Sequence, residues 1–164
     1  MGKIKRNLCQ LEEIGLSCIG CCGFDFTNKK EVIEALDRNS YEFKDFYDNE
    51  NIDLKGFRDR HPKDILRISG ICYNLIWRDK KKNIIFCPLH PRVIESQNAG
   101  QKDLREGHCN PEHLCKTAYK FMKWSRDKQD RYVAFLRSKN LDWYEYSIKN
   151  DDGSLLDEFE QHDL

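Results

Sequence analysis

Ser17-Cys18-Ile19-Gly20-Cys21-Cys22-Gly23-Phe24 places three thiols and two glycines in one short stretch. A Cys-x-x-Cys spacing lets one loop present two sulfurs to one ion while the intervening amides stay free to hydrogen-bond to them. Gly20 and Gly23 are expected to take positive φ where the chain curls around a site. The adjacent pair is unusual, because neighbouring side chains point apart. Cys21 and Cys22 therefore serve different metals, or one of them supports or relays for the other.

Downstream of the loop, Asn28 stands three residues before Glu31, the pattern of a helix cap with its reciprocal acid. Val32, Ile33, Ala35 and Leu36 give the helix an apolar face, and Asn39-Ser40 is expected to end it. A short second helix with Phe43, Phe46 and Tyr47 follows, then a polar connection over 48–63. Upstream, Leu8, Leu11, Ile14 and Leu16 suit a short helix. Two β-forming runs, Gly70 to Trp77 and Asn83 to Cys87, flank the charged turn Arg78-Asp79-Lys80-Lys81-Lys82. Folded as a hairpin, they bring Cys72 to Cys87.

Three ligand blocks result. The first is Cys18, Cys21 and Cys22. The second is Cys72 with Cys87-Pro88-Leu89-His90, in which His90 has Cys-x-x-His spacing. The third is His108-Cys109, with His113 and Cys115 behind it. Asn110-Pro111-Glu112 reads as a helix start, and a thiol in the first turns of that helix is expected to have its pKa lowered by the helix dipole. Thiolates and imidazoles suit zinc, and four thiolates also suit an iron–sulfur cluster. The seven cysteines from Cys18 to Cys115 exceed one four-coordinate site. They leave open two zinc sites, a zinc site with a redox pair, or one cluster with spare thiols. The roles of Cys9, His108 and His113 stay open as well.

Composition narrows the classes. The chain has 164 residues, 28 Lys plus Arg and 28 Asp plus Glu. This balance argues against general electrostatic binding of nucleic acid. No stretch approaches the roughly 18–20 apolar residues of a membrane span. Met1-Gly2-Lys3-Ile4-Lys5-Arg6 lacks the apolar region of a secretory signal, and Arg6 occupies the Ser/Thr position of a myristoylation motif. The expectation is cytoplasmic, where eight cysteines stay reduced instead of forming a disulfide framework.

The cysteine pattern resembles the zinc- or iron-chelating Cys-x-x-Cys-x-x-Cys-Cys cluster family, which includes a flagellin lysine methylase branch. The resemblance is carried by Cys18-x-x-Cys21-Cys22 before a helix with Glu31 and Leu36, by Gly70-Ile71-Cys72 leading to Cys87, and by Cys109. It implies metal ligands at Cys18, Cys21, Cys22, Cys72, Cys87 and Cys109. Gly15 stands at the leading-cysteine position, and Cys9 is the upstream thiol that could replace it.

The fold expected is α+β: a mostly α-helical single domain over 1–164, with a small antiparallel hairpin and loops gathered around a cysteine-rich metal site. Within it, 18–115 is the metal-binding core and 116–150 a helical packing region. The packing region uses Leu114, Ala118, Phe121 and Met122, then Tyr132, Phe135 and Leu136. Trp143 to Ile148 is read as a strand or packed tail, and 151–164 as a frayed acidic end. The expected function is metal binding, by zinc or an iron–sulfur cluster, in a structural or chelating role. Two alternatives are an iron–sulfur redox or methyl-transferring enzyme acting on a protein lysine, and a metal-stiffened module contacting a protein partner through Trp77, Trp124 and Trp143. A glycine-rich Gly-x-Gly-x-x-Gly loop for a methyl donor is absent, and no catalytic residue is identified.

Overall fold

The computed structural model describes residues 6–48, 50–90, 103–110 and 112–163. The N-terminal stretch 1–5, most of the loop expected over 91–107, and Pro111 of the expected helix start lie outside the described residues. In chain order the elements are β1 (Gln10–Leu11), β2 (Leu16–Ser17), α1 (Lys29–Phe43), α2 (Leu54–Asp59), β3 (Ile76–Asp79) and β4 (Ile84–Phe86). Then come α3 (Lys116–Lys123), α4 (Arg126–Ser138), α5 (Trp143–Asp151) and α6 (Ser154–His162). The chain is α+β, with β1–β2 and β3–β4 as two small antiparallel sheets.

Packing divides the described residues into two compact units. Unit 1 draws on Met1–Cys21, Asp79–Ile84 and Leu114–Leu164, and unit 2 on Cys22–Arg78 and Ile85–His113. These boundaries do not follow the expected 18–115 and 116–150 divisions. They fall between the two cysteines of the doublet.

In unit 1, the stretch read as a short helix is a β-hairpin. Gly15 adopts φ 65° and closes the turn after Glu12–Ile14, so Gln10 pairs with Ser17 and Leu11 with Leu16. The hairpin buries Leu8, Leu11 and Leu16 in one apolar cluster with Ala118, Phe121, Tyr132, Val133, Leu136, Tyr146, Leu155 and Phe159. The helices that supply these side chains are capped as their sequences direct. Ser125 accepts from the Lys128 amide at 3.3 Å, and Asp142 accepts from the Glu145 amide at 2.8 Å. The Trp143 segment is therefore a helix, neither a strand nor a tail. The acidic end is also helical, because Leu155, Leu156 and Phe159 form a buried stripe that outweighs the charge around it.

In unit 2, α1 begins as expected, with Asn28 Oδ1 accepting from the Glu31 amide at 2.9 Å. It does not stop at Asn39-Ser40. Asn39 is fully buried, and its Nδ2 donates to the carbonyls of Cys72 (3.0 Å) and Leu75 (2.8 Å). The Ser40 hydroxyl donates to Leu36 O at 2.7 Å and accepts from the Trp77 amide at 2.9 Å. Residues that favour helix ends remain inside this helix because tertiary partners take up their polar groups. The connection over 48–63 contains α2, capped by Asp53. Its Phe57 is buried edge-on against Phe43 (4.9 Å) and Phe46 (5.8 Å). The first β-run is shorter than expected. Gly70 takes φ 91°, Ile71 and Cys72 make isolated bridges to Gly23 and Leu66, and strand geometry begins only at Ile76.

Candidate metal centres

None of the eight cysteines is in a disulfide. In unit 1 the hairpin register places Cys9 one step beyond the Gln10–Ser17 pair, directly opposite Cys18, and the Cys18 amide donates to Cys9 O at 2.9 Å. Cys21 follows on the 3₁₀ turn Gly20–Cys22, and its thiol shares a hydrogen bond with Cys9. Cys115 comes from more than ninety residues downstream. Its side chain packs against the apolar cluster that contains Cys18. Cys18 and Cys115 thus share one apolar cluster, and Cys9 is held beside Cys18 through the backbone.

N–H donors point at these sulfurs. Asn150 Nδ2 donates to Cys18 Sγ at 3.3 Å, and the Gly20 amide does so as well. Cys115 is itself the cap of α3, which starts five residues later than Asn110-Pro111-Glu112 suggests; its Sγ accepts from the Ala118 amide at 3.4 Å. The expectation of a lowered Cys115 pKa is overturned. Burial raises it, and the amides of Ala118 and Thr117 offset only part of that rise. Burial likewise pushes Cys18 up to about 12. Cys9 is driven well above its ordinary value by the hydrogen bond to Cys21 and by burial. Without a cation, Cys9, Cys18 and Cys115 are neutral thiols.

The loop glycines work differently from the expectation. Positive φ falls at Gly15, Gly70, Gly107 and Gly153, not at Gly20 or Gly23. A Cβ on Gly20 would stand 2.5 Å from Asp151 Cβ and 2.6 Å from Ser147 O, so this glycine admits the C-terminal half of α5 against the cysteine loop. A Cβ on Gly23 would stand 2.5 Å from Gly70 O. Close approach, not handedness, selects these two glycines.

In unit 2, burial raises the pKa values of Cys72 and Cys87, and the Cys109 thiol adds to both. Of the hairpin expected to carry Cys72 toward Cys87, the paired strands cover Ile76–Asp79 and Ile84–Phe86. Burial pushes Cys87 up to about 12, while Arg105 favours its charged form. For Cys72 burial also dominates, opposed by the Asn74 amide, which donates to its Sγ at 3.4 Å, and by Arg60. The Cys72 amide donates to Cys22 O at 3.0 Å, which ties the exposed Cys22 to this end of the unit.

His90 closes a turn by donating its amide to Cys87 O at 3.1 Å, and the charge of its ring acts on Asp103. His108 is partly buried, which lowers its pKa, and its Nε2 has no hydrogen-bond partner among the described residues. Of the three tryptophans, Trp143 is buried, Trp124 stacks edge-on against Tyr132 at 5.4 Å, and Trp77 Nε1 donates to Asp37 at 2.9 Å.

Among the described residues, no three His, Cys, Asp or Glu side chains already stand in a coordination sphere. The sequence reading left Cys9 open and missed Asn150. Cys9 could have been found by reading Gly15 as a hairpin turn, since its position then mirrors Cys18. Nothing local signals Asn150. Searches of family models, curated proteins and solved structures give no match to the chain.

Proposed function

We propose that this chain is a metal-binding protein whose thiolates hold zinc or an iron–sulfur cluster in a structural or chelating role. The observation that carries the reading is the unit 1 thiol group. In it, Asn150 Nδ2 donates to Cys18 Sγ at 3.3 Å and the Ala118 amide donates to Cys115 Sγ at 3.4 Å, and both sulfurs belong to or pack against one apolar cluster. Neutral thiols gain little from such donors, whereas metal-bound thiolates need them. The all-sulfur donor set suits a soft divalent ion. When bound, the metal would supply a cross-link between distant segments, and the polypeptide would supply the deprotonated sulfurs and their hydrogen bonds. A cytoplasmic location, which keeps the thiols reduced, belongs to this reading. Among the described residues no helix is long and apolar enough to cross a membrane. The resemblance to the chelating family adds the cysteine spacing alone. Any methyl transfer to a protein lysine stays with that family branch.

A second reading, a dithiol–disulfide pair, draws on the Cys9–Cys21 hydrogen bond. Anaerobic purification followed by elemental analysis, acid-labile sulfide assay and a visible spectrum separates the two. Zinc or iron bound at stoichiometric level is the expected result. Metal-free protein with every thiol open to alkylation would refute metal binding, and a Cys9–Cys21 disulfide in that protein would favour the second reading.

A further inference from the structure

Unit 2 contains a ribbon of three short extended segments outside its named strands. Residues 65–67 lie antiparallel to 71–73, with Arg67 N donating to Ile71 O at 2.8 Å and Tyr73 N to Ile65 O at 3.2 Å, so that Leu66 stands opposite Cys72. Residues 22–24 pair with the other side of 70–72, through Phe24 N to Gly70 O at 2.8 Å and Cys72 N to Cys22 O at 3.0 Å. From this ribbon we propose that the chain self-associates, two copies joining their outer edges at Leu66 into one antiparallel sheet about a two-fold axis. The surface uses no metal and stands apart from the metal-binding reading.

Backbone geometry leaves that edge open. Successive residues of an extended segment turn their N–H and C=O groups to opposite sides. Ile65 and Arg67 direct theirs at 71–73, so Leu66 directs its own away from the ribbon. Among the described residues no further segment pairs along that side. An open edge is a template for another chain. The side chains match it. Ile68, in the turn that Gly70 N closes onto Arg67 O, is 98% exposed, Phe24 is 76% exposed, and Ile65 and Leu66 are exposed as well. Residues two apart share a face, so Phe24 and Cys22 lie on the face of Leu66 and Cys72, whereas Ile71 on the opposite face is fully buried. Apolar side chains clustered in this way mark an interaction surface.

The occupant that fits this edge is a second copy of the chain. A two-fold axis at Leu66 sets that residue against itself, and the two copies exchange both N–H···O bonds there. Ile65 then faces Arg67 of the other copy. Beyond this pair, Asp64 comes beside Ile68 and Lys63 extends toward Ser69. Ser69 O accepts from the Thr27 amide at 3.2 Å, so each exposed lysine enters the loop that carries the exposed Asp25 of the other copy. Unlike charges therefore meet at both ends of the interface. The chain's 28 basic and 28 acidic residues balance, so no net repulsion opposes the approach. So short an edge falls among interfaces of less than roughly 1,200 Å², which makes the dimer weak and reversible.

Sedimentation equilibrium of the full-length chain, kept reduced and run with and without a metal chelator, tests the assignment. Dimer should appear as concentration rises, unchanged by the chelator. Ile68→Glu sets a second carboxylate against Asp64 of the other copy and should hold the chain monomeric at every concentration. Combining Ile68→Glu with Asp64→Lys turns that repulsion into attraction and should restore the dimer. Leu66→Pro removes the edge N–H and should also give monomer, and circular dichroism reports whether each variant is folded. A wild-type chain that stays monomeric to its solubility limit would overturn the proposal and leave the edge to a different protein or to none. A dimer that persists in Ile68→Glu has its interface elsewhere, which overturns it too. A dimer lost with the chelator is bridged by metal, a result that refutes the edge while supporting the metal-binding reading.

Discussion

Asn150 shows how much one buried polar side chain can decide. It is 1% exposed, its Nδ2 donates to Cys18 Sγ, and its backbone carbonyl accepts from the Thr117 hydroxyl at 2.9 Å. Its Oδ1 has no hydrogen-bond partner among the described residues. An unpaired buried acceptor opposes folding by about 1–3 kcal/mol, so the residue is a poor choice for stability alone. Its use is in holding a donor against sulfur. Asn150→Ala should weaken metal binding by about 10-fold or more, as loss of a hydrogen bond to a ligand commonly does. Its effect on metal-free stability should be small, because the orphaned acceptor leaves together with the donor. Competition with a chelator and denaturant melts of the stripped protein check the two halves. Unchanged affinity would show that the Asn150 donor is incidental.

At the scale of elements, the cysteine loop and α5 are fitted backbone to backbone. The Ile19 amide donates to Ser147 Oγ at 3.0 Å, and Gly20 lies where any side chain would strike Ser147 or Asp151. Gly20→Ala should therefore force α5 away from the loop, with an overpacking cost of about 1–3 kcal/mol. The change should appear as a lower midpoint of thermal unfolding, with no change in helix content. A melting curve matching the wild type would mean that the loop yields freely. Ser147 adds to the fit, since its hydroxyl also donates to Trp143 O at 2.7 Å and is completely buried. A sequence reader sees Gly20 as a flexible residue in a thiol loop. Only the position of α5 reveals it as a contact point.

For the whole molecule, acid stability has an identifiable source in unit 2. Glu42 is partly buried, which raises its pKa. Hydrogen bonds from Arg67 and Arg60, and one with His61, outweigh that and hold it down to about 2. Arg67 and Arg60 reach it at 2.7 and 2.9 Å. Because the folded pKa lies below the ordinary value of 4.5, the unfolded chain takes up the proton first as pH falls. This contribution is whole above about pH 5 and drains away as pH falls toward 2. Denaturant melts from pH 6 to pH 2.5 should show that loss, and Glu42→Gln should flatten it. An equally steep acid dependence in Glu42→Gln would assign the effect to other carboxylates. The network also positions chemistry, since Arg67 donates to Asn39, which in turn holds the carbonyls of Cys72 and Leu75.

Much of the molecule was legible in the residues alone. The α+β class, the cap at Asn28 and the amphipathic helix around Tyr132 and Leu136 all follow from local rules. Caps, apolar periods and turn charges act between near neighbours, and that is why a sequence records them. Other features depended on partners distant in the chain. Asn39 and Ser40 stay inside a helix because Cys72, Leu75 and Trp77 use their polar groups. The acidic C-terminal stretch is helical because its leucines and Phe159 find a core. Cys9 joins Cys18 only through the register of a two-residue hairpin, and Cys115 reaches them only through the packing of α3. The sequence by itself determined the supply of thiols and imidazoles and their local spacing. The tertiary structure decided what each thiol packs against, because that choice depends on contacts between segments more than a hundred residues apart, which no local spacing encodes.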